Sequence, residues 1–131
     1  MKTFWPYKYL PAFVFVTNFF VMPNAGSTTY GPFIFLRPRC TFPNISKEEA
    51  EGLVAHELVH TKQSYRTCFI NGILYLCSKK WRLKYEVEAY CEQLKYVPQD
   101  LEIFAGYLAT RYRLNITKEE AIVALKAGSG V

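Results

Sequence analysis

Histidine is scarce in this chain, with two residues among 131. No two of the four cysteines (Cys40, Cys68, Cys77 and Cys91) form a CxxC pair, which disfavours a cysteine zinc site of the usual spacing. No apolar run suits a membrane span. The longest, Leu10 to Met22, is broken by Pro11, Thr17 and Asn18, whereas a spanning helix needs about 20 apolar residues. There is no low-complexity tract and no true repeat. Half of the residues are hydrophobic and 21% are charged, a balance that excludes a disordered chain. The net charge of +5 is mild. Lys79, Lys80, Arg82, Lys84, Arg111 and Arg113 read as solvated helix faces, and with no accompanying motif a nucleic-acid partner is not expected.

What the chain does have is aromatic side chains, 17% of the total. They imply a core rich in Phe and Tyr, or an aromatic surface that meets a partner. The first 25 residues have the outline of a signal peptide: Lys2 and Lys8, an apolar run, and a small-residue step at Ala25-Gly26-Ser27. The interruptions favour a buried β-rich strand over about 12–22 instead. A second strand is expected from Tyr30 to Arg37, ended by Pro38. Helices are expected from Ser46 to about Tyr65, from about Lys79 to Tyr96, from about Pro98 to Arg113, and from Thr117 to about Lys126. Two of these starts are capping boxes, Ser46 with Glu49 and Thr117 with Glu120. Both are also formal glycosylation sequons, and capping is preferred because it needs no secretion. A setting inside a cell or in a virion is accordingly favoured over a secreted one. Asn71-Gly72 predicts a hairpin between Cys68 and Cys77. The four thiols fit either the free state or two disulfides, and the tail from Gly128 to Val131 is expected to be loose.

The length suits one domain over 1–131, with an aromatic segment at 1–27, a core at 28–96 and C-terminal helices at 97–131. The expected class is α+β, with a small antiparallel sheet packed on the helix that begins at Ser46. Both histidines fall on that helix, in His56-Glu57-Leu58-Val59-His60. Two imidazoles four residues apart lie one turn apart on one face and can reach one metal ion. Glu57 lies beside that metal, placed to take a proton from water. A chance match in a chain so poor in histidine is on the order of one in a few hundred.

Catalytic zinc sites usually take a third protein ligand. The next helix offers Glu86 and Glu88. Its apolar stripe is Leu83, Val87, Tyr90 and Leu94, and Glu86 lies about 70° from the stripe centre against about 130° for Glu88. Glu86 is therefore the first choice and Glu88 the fallback, on the expectation that the stripe's face meets the first helix. Gln63, two turns after His56, is a candidate to polarise a histidine, although a surface amide is the commoner case. Tyr65 and Tyr90 are candidate donors to a developing oxyanion.

His-Glu-x-x-His followed by Glu on a later helix resembles the gluzincin-type zincin metallopeptidases. Residues 28–96 also look like small peptidase-like domains of phage and bacterial genomes, in which a strand similar to Gly31 to Pro38 precedes the helix. The resemblance implies zinc held by His56, His60 and Glu86, Glu57 as general base, a peptide or protein substrate, and hydrolysis of an amide. The strand Pro32 to Arg37 would then rim the cleft, where a peptide can add by edge pairing. One departure is Tyr90, which stands where that pattern often has an acidic residue orienting a histidine. The competing reading is a non-catalytic, zinc-stabilised structural or adaptor module, such as a virion component. A third is a metal-free domain with a coincidental motif. The aromatic N-terminal segment is a candidate assembly surface.

Overall fold

The structure, a computed structural model, describes residues 1–8 and 10–129. Among the described residues it is α+β, with four strands followed by five α-helices. Strands β1 (Lys2–Tyr7), β2 (Leu10–Val16), β3 (Ser27–Tyr30) and β4 (Phe33–Leu36) form one sheet in the order β1-β2-β4-β3. β1 with β2 and β3 with β4 are antiparallel, while β2 and β4 run parallel, so the sheet is mixed rather than wholly antiparallel. Its alternation is regular. Ala12, Val14, Ile34 and Leu36 point inward, while Phe13, Phe15, Phe33 and Phe35 alternate with them on the other face.

Strand formation in the N-terminal segment differs from expectation in two ways. The long strand stops at Val16, because the Thr17 hydroxyl accepts from the Phe19 amide and Phe20 takes a φ of 63°. An additional strand, β1, precedes it. Pro6 is tolerated there because β1 is an edge strand, and the register with β2 shifts between Phe4 and Tyr7. Between β3 and β4 the chain turns at Gly31, whose φ of 57° favours glycine.

Helix α1 (Lys47–Arg66) starts at a complete capping box. Ser46 Oγ accepts from the Glu49 amide and the Glu49 carboxylate accepts from the Ser46 amide, a cap worth about 1 kcal/mol. The second box, Thr117 with Glu120, opens α5 (Lys118–Ser129) in the same way. Helix α5 extends through Gly128 and Ser129, so these residues are not a loose tail; Gly130 and Val131 lie outside the described residues.

The segment expected as a hairpin is helical, α2 (Asn71–Cys77). Gly72 does not take the left-handed backbone that a tight hairpin turn requires. Left-handed Cys68 and Phe69 end α1, the Thr67 hydroxyl accepts from the Asn71 amide, and Arg82 donates to the Tyr75 carbonyl. Tertiary partners thus override the local turn signal. All four cysteines are free.

Helix α1 lies between two apolar layers. Leu53, Val54 and Leu58 cover the inner face of the sheet. On the other side α1 packs on α3 (Lys79–Leu94). The stripe of α3 meets α1 through Tyr90, whose ring lies against His56, but most of it turns elsewhere. Leu83, Val87, Tyr90 and Leu94 turn to the core shared with α4 (Leu101–Thr110) and α5, around Phe104, Leu108, Ala121 and Leu125. Glu86 and Gln93, seven residues apart, face α1 instead. Close approach there needs Gly52, where a Cβ would lie 3.2 Å from Tyr96 Cβ and 3.4 Å from the Gln93 carbonyl oxygen.

Candidate metal centre

The α1–α3 contact brings His56, His60 and Glu86 together. Being one turn apart on α1, the two imidazoles converge, with their Nε2 atoms 3.2 Å apart. From α3, Glu86 places Oε2 3.5 Å from His56 Nε2 and Oε1 3.5 Å from His60 Nε2. The side chains of His56 and Glu86 are buried, and that of His60 is 16% exposed. A tetrahedral ion with bonds of roughly 2.0–2.1 Å holds neighbouring donors about 3.4 Å apart, so these separations suit a zinc-sized ion. The donor chemistry fits as well, since Glu86 Oε2 is buried and has no hydrogen-bond partner.

The charges on these groups are coupled. Burial of His60 opposes its protonation, but the Glu86 carboxylate beside it outweighs that and its pKa is pushed up to about 9. Burial of Glu86 likewise opposes ionisation. The facing histidines prevail there too and hold the carboxyl well below the usual range. The cluster is therefore an anionic socket for positive charge, whether a proton or a metal cation fills it.

Gln63 is fully buried rather than a surface amide. Its Nε2 donates to the Tyr85 carbonyl at 3.0 Å and to Glu88 at 3.3 Å, which turns Oε1 toward His60 Nδ1 at 2.9 Å. An amide oxygen can only accept, so His60 carries its proton on Nδ1 and, when neutral, presents the Nε2 lone pair to the cluster. Glu88 does not join the cluster. It lies at the surface in a two-pronged pair with Arg66, at 3.2 and 3.1 Å. His56 Nδ1 is buried without a partner.

Neither expected tyrosine hydroxyl reaches the site. Tyr65 donates to the Pro11 carbonyl on the sheet side. Tyr90 pairs its hydroxyl with that of Tyr112 and offers His56 the edge or face of its ring, with centroids 4.4 Å apart. The hydroxyl that does arrive is Tyr75, from α2, which donates to Glu86 Oε1 at 2.7 Å. Burial and the adjoining Glu86 charge drive the Tyr75 pKa far upward, so it stays a donor. Nothing in the local sequence pointed to it, because a hairpin at Asn71-Gly72 would have placed Tyr75 on a strand.

Glu57 is buried on the side of α1 that faces β3. The Ser27 hydroxyl donates to its Oε1 and the Thr29 hydroxyl to its Oε2, each at 2.5 Å. These two residues were also not anticipated; their spacing of two, which puts both on one face of a strand, is the only signal they offered. The strand expected as the cleft rim, β4, is flanked on both sides by β2 and β3 and has no free edge for a peptide. The edge strand beside the site is β3.

Comparison of the chain with protein-family models, with curated proteins and with solved structures finds no match. What the site can do rests on its own donors: two nitrogens and a carboxylate converging on one point, with a second carboxylate one residue along the same helix.

Proposed function

We propose that this chain is a zinc-dependent hydrolase acting on peptide bonds. The observation that carries the reading is the converging triangle of His56, His60 and Glu86 with Glu57 adjacent on α1. His56 and His60 would hold the ion through Nε2 and Glu86 through its carboxylate. A zinc ion bound there supplies a Lewis acid that polarises a carbonyl and acidifies water. Glu57 accepts the proton as general base and delivers it to the leaving amine. Ser27 and Thr29 hold the Glu57 carboxylate in one orientation, and Gln63 keeps the His60 tautomer that leaves Nε2 free. Tyr75 anchors Glu86 from behind.

A second reading has its own support. The histidine and glutamate side chains are largely enclosed, and both Glu57 oxygens are already engaged by hydroxyls. That is the environment of a zinc-stabilised structural or adaptor module, which needs no path for substrate. The deciding measurement is zinc per chain in wild type, Glu86→Ala, Glu88→Ala and Glu57→Gln, together with hydrolysis of a peptide library. The enzyme reading expects about one zinc per chain, lost in Glu86→Ala and kept in Glu88→Ala. It also expects Glu57→Gln to keep zinc while hydrolysis falls on the order of a thousandfold. Zinc retained with no hydrolysis in the wild type would favour the structural module. No zinc, even after addition, would overturn both.

A further inference from the structure

The acidic and basic residues are divided unevenly along the chain. Residues 1–46, which hold the entire sheet, contain four basic residues (Lys2, Lys8, Arg37 and Arg39) and no Asp or Glu. Residues 47–131 contain twelve basic and eleven acidic residues. The excess positive charge of the molecule thus belongs to the sheet layer.

The face of the sheet turned away from α1 is aromatic. Phe13 stacks on Phe33 and Phe15 on Phe35, with centroids 5.9 and 5.4 Å apart. The loop after β2 adds to this face, because the Phe20 ring lies 5.3 Å from that of Phe35. In that loop Phe19 is 75% exposed, Phe20 72% and Met22 56%. Phe20 reaches its position through a φ of 63°, an unfavourable backbone for a bulky side chain. Arg37 braces the same loop, donating to the carbonyls of Asn18, Met22 and Ala25. A cation is therefore tied to the loop that carries the protruding rings.

We propose that this outer sheet face, led by Phe19, Phe20 and Met22, with Arg37 and Arg39 in the segment that follows β4, docks on an anionic lipid surface. Apolar side chains inserted at the headgroup boundary bury their surface without needing directed hydrogen bonds, and neighbouring Lys and Arg gain from anionic headgroups. The outward positions of β2 and β4 are Pro11, Phe13, Phe15, Phe33 and Phe35, whose side chains offer no donors or acceptors to read a base edge. A second copy of the chain is disfavoured because pairing this face with itself would oppose two positive layers that contain no acid to offset them. No helix among the described residues is long and apolar enough to cross a membrane, so the docking is peripheral. The three donors of the metal cluster lie where α1 meets α3 and take no part in it.

The test is cosedimentation of the full chain with phosphatidylcholine vesicles, with and without phosphatidylserine at roughly a third of the lipid. The expected result is binding that requires phosphatidylserine and weakens with salt. The Phe19→Ser/Phe20→Ser pair should lose about tenfold or more in affinity. Arg39→Glu should lose at least about fivefold. These positions are exposed, and unchanged circular dichroism and metal content verify that the variants fold. Absence of binding to the anionic vesicles overturns the proposal, as does equal binding to both vesicle types. So does retention of a single-stranded oligonucleotide, or formation of a dimer, that depends on Phe19 and Phe20 when vesicles are not bound.

Discussion

The sheet layer and the helical layer meet along α1 and are organised in opposite ways. The helical layer closes on itself. Its core side chains Ala105, Leu108, Ala121 and Leu125 are completely buried, and its charges nearly balance. The sheet layer closes on one side only, around Ala12, Val14, Ile34 and Leu36, and turns most of its aromatic surface outward. The candidate site sits at the seam and draws differently on each layer. Its three donors and the Tyr75 support come from helices, while the hydroxyls that hold Glu57 among the described residues come from β3. Cation binding should then depend on the helical layer, and the general base on the sheet.

The largest test of this division is one of stability. Leu125→Ala, in the closed helical core, should lower the unfolding free energy by about 3–4 kcal/mol, whereas Val14→Ala in the one-sided sheet core should cost about half as much. Denaturant titration measures both, and equal losses would erase the distinction. Close behind comes a pH effect in metal-stripped protein. The His60 pKa is raised above its unfolded value, so its contribution is complete below about pH 6.5 and disappears as the pH climbs through about 9. Melting at pH 6 and pH 10 should differ by on the order of 3 kcal/mol, a difference that His60→Gln removes. Zinc needs the neutral imidazoles, so its affinity should run the opposite way and rise over the same range.

Smaller effects separate the two layers more finely. Tyr75→Phe removes the hydrogen bond to Glu86 and should weaken zinc binding about tenfold, read by competition with a chelator. Unchanged affinity would mean that α2 contributes packing alone. Ser27→Ala with Thr29→Ala should leave zinc affinity within about twofold and alter turnover only severalfold, since the base is still present but less well oriented. Loss of zinc in that pair would show that the sheet also shapes the donor cluster.

The same seam separates what could be read in the sequence from what could not. Capping boxes at Ser46 and Thr117 are local signals, and the helices they open were legible. Helical spacing placed His56 and His60 together and distinguished Glu86 from Glu88. The reason for that distinction was only half right, because the Leu83-Val87-Tyr90-Leu94 stripe faces α4 and α5, and Glu86 faces α1 from its edge. Long-range pairings left no comparable trace. The parallel contact of β2 with β4, the strand around Pro6, and the helix replacing a hairpin at Asn71-Gly72 all depend on partners distant in sequence. Tyr75, Ser27 and Thr29 were missed for the same reason, as each approaches the site from an element whose position only the fold determines.

Gly52 has a consequence for the size of the site. Without a side chain at that point, α1 and α3 touch almost backbone to backbone, one turn ahead of His56. The contact works as the jaw stop of a caliper: it sets how far apart the two helices stand, and so the gap across which His56 and His60 face Glu86. A methyl group there would gain about 1 kcal/mol of helix propensity while prising the jaws by a few tenths of an ångström. The gauge of the donor cluster is thus cut by the absence of a side chain that never touches it.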